Sequence, residues 1–393
     1  EESTRNSVIT YVIHVKKVVM IIPLLLTSTA AALSTASAVQ VNAFYPAPSF
    51  FPGLSVRGDA CGLNWDKGVP MTRKEKDSAE FTIEIDCPSG VRDFEFKVLA
   101  DDSTWEQGSN HHFTVADGSR DIYPWFNTKS GDTSMIIKNV YSKELNNTRD
   151  VIFYLPPSYY ENSLKTYSNI LVMHDGQNLF NRATAYMGNA WMCQDALDTS
   201  IIGGTIDEVL VVGAYNTPDR INEYTYVYDP SEGSGGKGDL YLDWIESTLL
   251  PLVQKELPRV QIKRETLGIL GSSLGGLISC YAGLTRPSVY GRVGCMSSSF
   301  WWDENDFQNN VVPASKPLEP LNHIYMDSGT GSLGEKECTA YTANIYDQLV
   351  TDKDYSAEQD VFKYVDEGAT HSESYWGPRF HIPLEDLYPS STV

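Results

Sequence analysis

The sequence predicts an α/β protein whose mostly parallel sheet carries helices on both faces and is preceded by a small all-β sandwich. In the second part of the chain, short β-branched runs alternate with segments of helical length. Before them, short β-type runs are separated by turn residues and show no helical periodicity. The length of 393 residues is enough for a large core and a smaller domain.

The N-terminal segment has the order of a secretory signal. Lys16 and Lys17 precede an apolar run over residues 18–26, and a series of small residues ends at Ala38. This run is shorter than the about 20 residues that a membrane span needs. We therefore expect residues 1–38 to be a cleaved signal peptide, and the mature protein to be secreted without a membrane span.

Charge and cysteine usage limit the partners. The chain has 30 Lys and Arg against 51 Asp and Glu, and its formal net charge of −21 disfavours nucleic acid as a partner. None of the six cysteines has the spacing of a metal site, and we predict neither metal nor cofactor. Cys61 and Cys87 are the first pair that we expect to form a disulfide. Cys280 and Cys295 fit either disulfides or buried thiols.

The runs divide the chain into domains. Residues 39–117 form the predicted sandwich, residues 118–134 a polar linker, and residues 135–393 the α/β domain. Predicted sandwich strands are 54–57, 81–86, 91–99 and 112–115. Predicted strands of the α/β domain are 151–155, 170–173, 209–212, 266–270, 292–296 and 323–326. Between them, residues 240–256 have apolar side chains at helical spacing.

A Gly-Ser-Ser-Leu-Gly segment at residues 271–275 directly follows the predicted strand 266–270 and leads into an apolar helical segment. A strand, a G-x-S-x-G turn and a helix form the context in which a serine hydroxyl is lifted to the top of a sheet. The alternative is an ordinary glycine-rich turn. In this context the pattern predicts that Ser273 is a nucleophile.

A serine nucleophile needs a base, and only His323, His371 and His381 follow Ser273. His323 opens a predicted strand, and His381 precedes a proline near the C-terminus, where a surface role is expected. His371 lies in a turn after the apolar run 361–365. A loop after the last strand is the place for the base, so we predict His371.

The acid and the oxyanion donors are less determined. Asp327, Glu335 and Glu337 all follow the predicted strand 323–326, and the residues alone do not choose among them. The backbone N–H of Leu274 supplies one oxyanion donor by position, and residues 174–178 form the loop expected to supply the second. His174 and Asp175 in that loop have no companion ligands nearby, which favours a loop brace over a metal site.

Four motifs together are similar to a known family. They are HDGQNLF at residues 174–180, GSSLGG at 271–276, SSSFWW at 297–302 and GATHSESYW at 368–376. Over about residues 135–388 the chain resembles the esterase family of α/β-hydrolases that includes feruloyl esterases, enterochelin esterases, S-formylglutathione hydrolase and mycolyltransferases. The resemblance implies an α/β-hydrolase fold.

The same resemblance implies the roles of the site residues. Ser273 would be the nucleophile and His371 the base, with the backbone amides of Gln177 and Leu274 as oxyanion donors. In relatives the acid follows a Gly-Thr pair such as residues 329–330, which favours Glu335, then Glu337, over Asp327.

The N-terminal region resembles the starch-binding domains of carbohydrate-binding module family 20. The matching segments are residues 62–66, 94–97 and 105–110. The resemblance implies that Trp65 and Trp105 form a stacking platform for sugar, and that Lys97 and Asn110 bond sugar hydroxyls. The alternative is that the tryptophans belong to the core.

The expected function is therefore a secreted serine esterase acting on carbohydrate-linked or aromatic, feruloyl-type esters, with a glycan bound by the N-terminal domain. An acyltransferase to a sugar hydroxyl and a non-catalytic glycan-binding protein are the alternatives. Several aromatic residues could line an acyl pocket or lie in the core: Trp191, Tyr224, Trp301, Trp302 and Trp376.

Overall fold

The computed structural model describes residues 37–316, 323–331 and 338–390. The predicted signal peptide, apart from Ser37 and Ala38, lies outside these residues, as do the candidate acids Glu335 and Glu337. The described residues all belong to one compact unit.

The N-terminal part of this unit consists of two β-sheets. Its strands are β1 (Ser37–Phe44), β2 (Leu54–Gly58), β3 (Val69–Pro70), β4 (Thr72–Arg73), β5 (Glu80–Cys87), β6 (Asp93–Ala100), β7 (Thr104–Trp105), β8 (His111–Thr114) and β9 (Ser119–Ile122). One sheet has the order β4-β5-β1-β9, and the other has the order β3-β2-β6-β7 with β8 also paired to β6. All pairs are antiparallel except β1 with β9.

Alternation of side chains explains how the two sheets bury a core. In β1, Val39, Val41 and Ala43 point inward and are fully buried, whereas Gln40 between them is exposed. Inward residues of β2, β5, β6 and β8 pack into the same cluster. The predicted disulfide between Cys61 and Cys87 is present.

One part of the predicted linker is a strand. Within residues 118–134, β9 pairs parallel to β1, with Val41 opposite Arg120. The prediction of a linker over these four residues was wrong because β9 has a single buried side chain, Ile122, and so lacks visible alternation. The remaining domain boundaries stay predictions.

The second part contains an eight-stranded sheet. Its strands are β10 (Ile136–Ser142), β11 (Asn147–Tyr154), β12 (Ile170–Met173), β13 (Leu210–Ala214), β16 (Leu267–Ser272), β17 (Arg292–Met296), β18 (His323–Gly329) and β19 (Val361–Asp366), with a separate hairpin of β14 (Tyr228–Asp229) and β15 (Ser234–Gly235) between β13 and β16. The order is β10-β11-β13-β12-β16-β17-β18-β19. Six neighbouring strands of this sheet run parallel, in the order β13-β12-β16-β17-β18-β19. Strand β11 is antiparallel to β13. The predicted mostly parallel sheet is confirmed.

Helices cover both faces of this sheet. They are α1 (Cys193–Gly203), α2 (Arg220–Glu223), α3 (Gly238–Trp244), α4 (Leu250–Glu256), α5 (Leu274–Thr285), α6 (Trp302–Asp306), α7 (Val312–Ala314), α8 (Thr339–Asp352), α9 (Glu373–Trp376) and α10 (His381–Leu387). A π-helical turn at Ile245–Leu249 joins α3 to α4, and the predicted helix 240–256 is thus present with one irregular turn.

The two faces bury two separate clusters. In β12, Ile170 and Val172 pack with residues of α3, α4, α5 and α8, whereas Leu171 and Met173 pack with residues of α1 and α10. Every residue of β12 is buried because both faces of the strand are covered. Within the described ranges no helix is long and apolar enough to cross a membrane.

Candidate active site

Ser273 occupies a sharp turn between β16 and α5. Its backbone has φ 59° and ψ −124°, and it stands immediately before the first residue of the helix. The Ser273 N–H donates to the carbonyl oxygen of Met296 at 3.0 Å, and the Ser299 N–H donates to the Ser273 carbonyl at 3.1 Å. The half-buried Ser273 hydroxyl therefore sits on a turn fixed from β17, the neighbouring strand.

Two glycines allow this turn to pack closely. A Cβ atom at Gly271 would lie 2.8 Å from the His174 ring, and one at Gly276 would lie 2.4 Å from the Ser298 hydroxyl. No larger residue fits either position without displacing its neighbours. Gly271, the first residue of the G-x-S-x-G segment, and Gly276, which directly follows the segment, thus allow the close backbone approach that an elbow needs.

His371 lies on the segment between β19 and α9. The Gly331 N–H donates to the Ala369 carbonyl at 2.8 Å, and the Gly368 N–H donates to the Thr330 hydroxyl at 2.8 Å. The His371 ring also meets the Trp376 indole edge-on, with centroids 5.0 Å apart. These contacts fix the loop that carries the imidazole.

Ser273 and His371 line one cavity of about 390 Å³. Gln177 lines it too, so three parts of the chain separated by about a hundred residues each meet at this point. The sequence predicted all three residues for the site, and the structure brings them together. Their catalytic roles stay predictions.

The two predicted oxyanion donors are both at helix starts. Leu274 is the first residue of α5, and Gln177 lies in the 3-10 turn Gly176–Asn178, in which the Asn178 N–H donates to the Asp175 carbonyl. N–H groups in a first turn have no acceptor within their own helix. Both amides are therefore placed to donate to an outside oxygen, where the partial positive charge of the helix start favours negative charge.

His174 braces the elbow from behind. Its Nδ1 lies 2.9 Å from the Tyr241 hydroxyl and its Nε2 lies 3.0 Å from the Ser279 hydroxyl. Ser279 donates its own proton to the Gly275 carbonyl, so Nε2–H donates to Ser279 and Nδ1 accepts from Tyr241. Burial lowers the pKa of His174 to about 3, although the charge of Asp175 acts in the opposite direction. The imidazole is neutral and structural, as the loop-brace prediction requires.

Asp175 is held by a charge that the sequence did not reveal. Its carboxylate accepts two hydrogen bonds from Arg220, at 2.7 and 2.8 Å, and one from the Asn216 amide at 2.6 Å. Burial alone would raise the pKa of Asp175, but the Arg220 charge and these hydrogen bonds hold it below its usual range. Arg220 and Asn216 also line the cavity. No local signal identifies this pair, since 45 residues separate Asp175 from Arg220.

Glu373 is a second charged residue of the cavity that sequence reasoning missed. It lies two residues after His371, and its carboxylate accepts from the Asn178 amide at 3.4 Å. Burial raises the pKa of Glu373, and the negative charge of Asp175 acts in the same direction. Its place within the motif at residues 368–376 is the signal that could have found it.

Asp327 has a structural role. Arg379 donates to its two carboxylate oxygens at 2.8 and 2.9 Å, and the Ser297 N–H and the Tyr325 hydroxyl donate at 2.9 and 3.0 Å. The side chain is completely buried. Arg379 also bonds Asp366 at the end of β19. Asp327 therefore ties β18 to the segments around the site, and both of its carboxylate oxygens are already occupied.

The aromatic candidates for an acyl pocket fall into two groups. Trp191 and Trp376 line the cavity. Tyr224 and Trp302 are core residues: the Tyr224 hydroxyl accepts from the Asp175 N–H, and the Trp302 indole donates to the Val227 carbonyl. Trp301 packs beside Trp302, with ring centroids 5.8 Å apart. Of the two alternatives that the sequence left open, Tyr224 and Trp302 therefore follow the core one.

The tryptophans of the N-terminal region lie together on the surface. Trp65 and Trp105 are 36% and 37% exposed, and their ring centroids are 6.2 Å apart. Lys97 donates instead to the Gly108 carbonyl at 2.6 Å, and Asn110 donates to Glu95 at 2.9 Å. The polar pair thus bonds the protein's own groups, and contact of Lys97 and Asn110 with sugar stays a prediction.

The family described as "Putative esterase" matches residues 142–387, which is more than half of the chain. The chain belongs to this family. The matched range contains every element of the cavity, from the loop at Gln177 to His371. The resemblance that the motifs indicated is thus confirmed for the esterase part, whereas the starch-binding resemblance stays a prediction.

The chain is also similar to two known proteins and one solved structure. The uncharacterized protein YbbA of Bacillus subtilis is 28% identical over 261 residues, covering 64% of this chain and 97% of that protein. The siderophore triacetylfusarinine C esterase of Aspergillus fumigatus is 41% identical over 140 residues, which is 34% of this chain and 45% of that enzyme. The structure of the enterobactin esterase FES from Shigella flexneri, with enterobactin present, has a TM-score of 0.50 and 15% identity over 86% of this chain and 88% of its own. At that identity the likeness shows the fold alone.

The depressed pKa of His174 predicts a pH dependence of stability. Its pKa is about 3 in the folded chain and about 6.5 when unfolded, so between these values the unfolded chain binds more protons. The free energy of unfolding should fall by about 1.4 kcal/mol per pH unit from this group as pH drops from 6 to 4. In His174→Gln this part of the slope should be lost, as measured by urea unfolding at several pH values.

His112→Gln is the matched control, because His112 is only partly buried on β8 and its side chain pairs with the exposed Asp93. It should keep the slope of the unsubstituted protein. Equal slopes for His174→Gln and the unsubstituted protein would contradict the assignment of a buried neutral imidazole.

Proposed function

We propose that the protein is a serine hydrolase of carboxylic esters, with Ser273 as the nucleophile and His371 as the general base. One observation carries the proposal. A serine on a positive-φ turn between a strand and a helix shares one cavity with a histidine from the loop after the last strand. Family membership supports the same reaction class.

The proposed reaction has two steps. His371 takes the proton of the Ser273 hydroxyl while the Ser273 oxygen attacks the ester carbonyl. The backbone amides of Leu274 and Gln177 donate to the resulting oxyanion. The bond to the alcohol then breaks, and His371 gives the proton to the departing oxygen. A water molecule, deprotonated by His371, next attacks the acyl-enzyme, and the acid is released with Ser273 restored.

We propose Glu335 as the acid that orients His371, with Glu337 as the alternative. Support comes from the residues that flank this segment. Thr330 and Gly331 bond directly to Asp366, Gly368 and Ala369, so the chain enters the segment beside the His371 loop. Asp327 is bound by Arg379 instead.

For the substrate, we propose an ester with an aromatic or carbohydrate-linked part. Trp191 and Trp376 line the cavity, and although each indole is only about 5% exposed, the part that reaches the wall is apolar and suits an aromatic acyl group. A similar protein suggests a further substrate class, because it is a siderophore triacetylfusarinine C esterase. A siderophore ester therefore belongs in any substrate panel.

We further propose that the protein is exported and binds a glycan through Trp65 and Trp105. Two adjacent, partly exposed indoles suit the apolar faces of sugar rings. The disulfide between Cys61 and Cys87 supports export, since disulfides persist in oxidising compartments.

Removing the nucleophile should abolish ester hydrolysis. Ser273→Ala should lower kcat/KM by at least about 10³-fold for every ester from p-nitrophenyl acetate to methyl ferulate and a fusarinine ester. Initial rates of purified protein, with and without a sugar acceptor, measure both hydrolysis and acyl transfer.

Ser298→Ala is the matched control, because this buried serine lies beside the elbow and its hydroxyl bonds no described residue. It should retain turnover. Activity that survives in Ser273→Ala would contradict the serine mechanism, and transfer products exceeding hydrolysis would favour an acyltransferase.

The acid can be identified by neutral substitutions. Glu335→Gln should lower kcat by about 10³–10⁴-fold with little change in the free energy of unfolding, because only the orientation and charge stabilisation of His371 are lost. Asp327→Asn should instead destabilise the fold, since it removes the fully buried charge that Arg379 bonds through two oxygens and leaves Arg379 with Asp366 alone. A large loss in Glu337→Gln alone would assign the acid to Glu337, and none in either would refute the proposal.

Glycan binding predicts a specific loss. Trp65→Ala and Trp105→Ala should each weaken retention on insoluble starch by about tenfold or more in a depletion assay, because a stacked indole contributes a large share of binding. Tyr141→Ala, at a 54% exposed aromatic residue of the esterase part, should bind as the unsubstituted protein does. Equal retention of all three variants would rule out the platform.

A further inference from the structure

A second cavity adjoins the catalytic one. It measures about 740 Å³, and Trp191 and Glu373 line both cavities, so their walls are continuous. One wall of this side groove is a face of α1 that includes Asp195, and the other is the segment from Glu373 to Glu385. The groove is within the usual size of small-molecule sites, and it adds space that a simple acyl group in the smaller cavity does not use.

The chemistry of the proposed reaction determines which part of an ester faces this groove. The imidazole that takes the serine proton later gives it to the departing alcohol, so the alcohol must lie on the His371 side. Glu373 lies two residues after His371 and lines the groove, and the segment from Glu373 to Glu385 forms one of its two walls. The groove therefore opens on the alcohol side of the scissile bond.

The charges of the groove indicate what kind of alcohol it accepts. Three carboxylates line it, from Asp195, Glu373 and Glu385, against Arg182 and His381 as basic groups. His381 and Glu385 lie one turn apart on α10, and Nδ1 of His381 is 3.0 Å from the Pro378 carbonyl. Carboxylates accept hydrogen bonds and repel anions.

We propose that the side groove binds the alcohol part of the ester, and that it selects alcohols rich in hydrogen-bond donors over anionic ones. This rests on the proposed serine esterase function. Hydroxyl groups and ammonium groups share the required donor chemistry, and the small exposed part of the Trp191 indole lies at the junction of the two cavities.

A series of acetate esters with six-carbon alcohols tests the proposal at a constant acyl group. The alcohols are 1-hexanol, sorbitol through its primary hydroxyl, 6-amino-1-hexanol and 6-hydroxyhexanoate. We expect kcat/KM for the sorbitol and ammonium esters to exceed that of the hexyl ester by about tenfold, and the anionic ester to be the poorest. A larger gain for one donor ester identifies hydroxyl or ammonium as the natural group.

The double variant Asp195→Asn, Glu385→Gln removes two of the three charges and keeps the shapes. In this variant the ratio of ammonium ester to anionic ester should fall about tenfold, whereas the exposed control Glu75→Gln in the N-terminal region should keep the ratio. Because both esters are measured on the same protein, the ratio does not depend on how much of that protein is active. Thermal unfolding of both variants shows whether the fold is intact.

Two outcomes would overturn the inference: equal kcat/KM for all four esters, or the same ratio in the double variant as in the unsubstituted protein. Failure of the proposed function is distinguishable. In that case the protein would turn over none of the four esters nor p-nitrophenyl acetate, or Ser273→Ala would turn them over equally well.

Discussion

The backbone of Ser273 has a φ of 59°, a conformation that costs a residue with a side chain about 1–3 kcal/mol. Hydrogen bonds to Met296, the last residue of β17, and to Ser299, three residues after it, offset this cost, and α5 begins directly after Ser273. The pairing of β16 with β17 therefore determines where the hydroxyl lies. Gly271 and Gly276 are required because His174 and Ser298 fill the space around the turn.

Two ion pairs fix the loops on either side of this turn. Asp175 and Arg220 hold the loop that carries Gln177, and Asp327 and Arg379 join β18 to the end of β19 before His371. Removing Arg379 would leave the fully buried Asp327 carboxylate without its cation, and the loss of one partner from a buried pair costs about 3–5 kcal/mol. The geometry of the reacting groups thus depends on charges that take no part in the proposed reaction.

Much of this arrangement could be predicted from sequence because its signals are local. The central strands have buried residues on both faces and stand out as apolar runs, and the elbow is a contiguous motif. The Asp175–Arg220 and Asp327–Arg379 pairs join residues 45 and 52 positions apart, and no local sequence motif predicts either pair. The short strand β9 shows no alternation. The bonds of Lys97 to the Gly108 carbonyl and of Asn110 to the Glu95 carboxylate depend on tertiary contacts that no sequence pattern gives. The hydroxyl of Ser299 lies 3.3 Å from that of Ser273, but the sequence does not distinguish Ser299 from the two serines before it.

The side groove has a consequence for how the acyl-enzyme partitions between water and other acceptors. A groove that retains the released alcohol keeps a hydroxyl beside His371 while the acyl group is still on Ser273. The acyl group can then return to that alcohol or pass to a similar one, in competition with water. Hydrolysis and transesterification would on this basis be one reaction with two acceptors, and the occupancy of the groove would set their ratio.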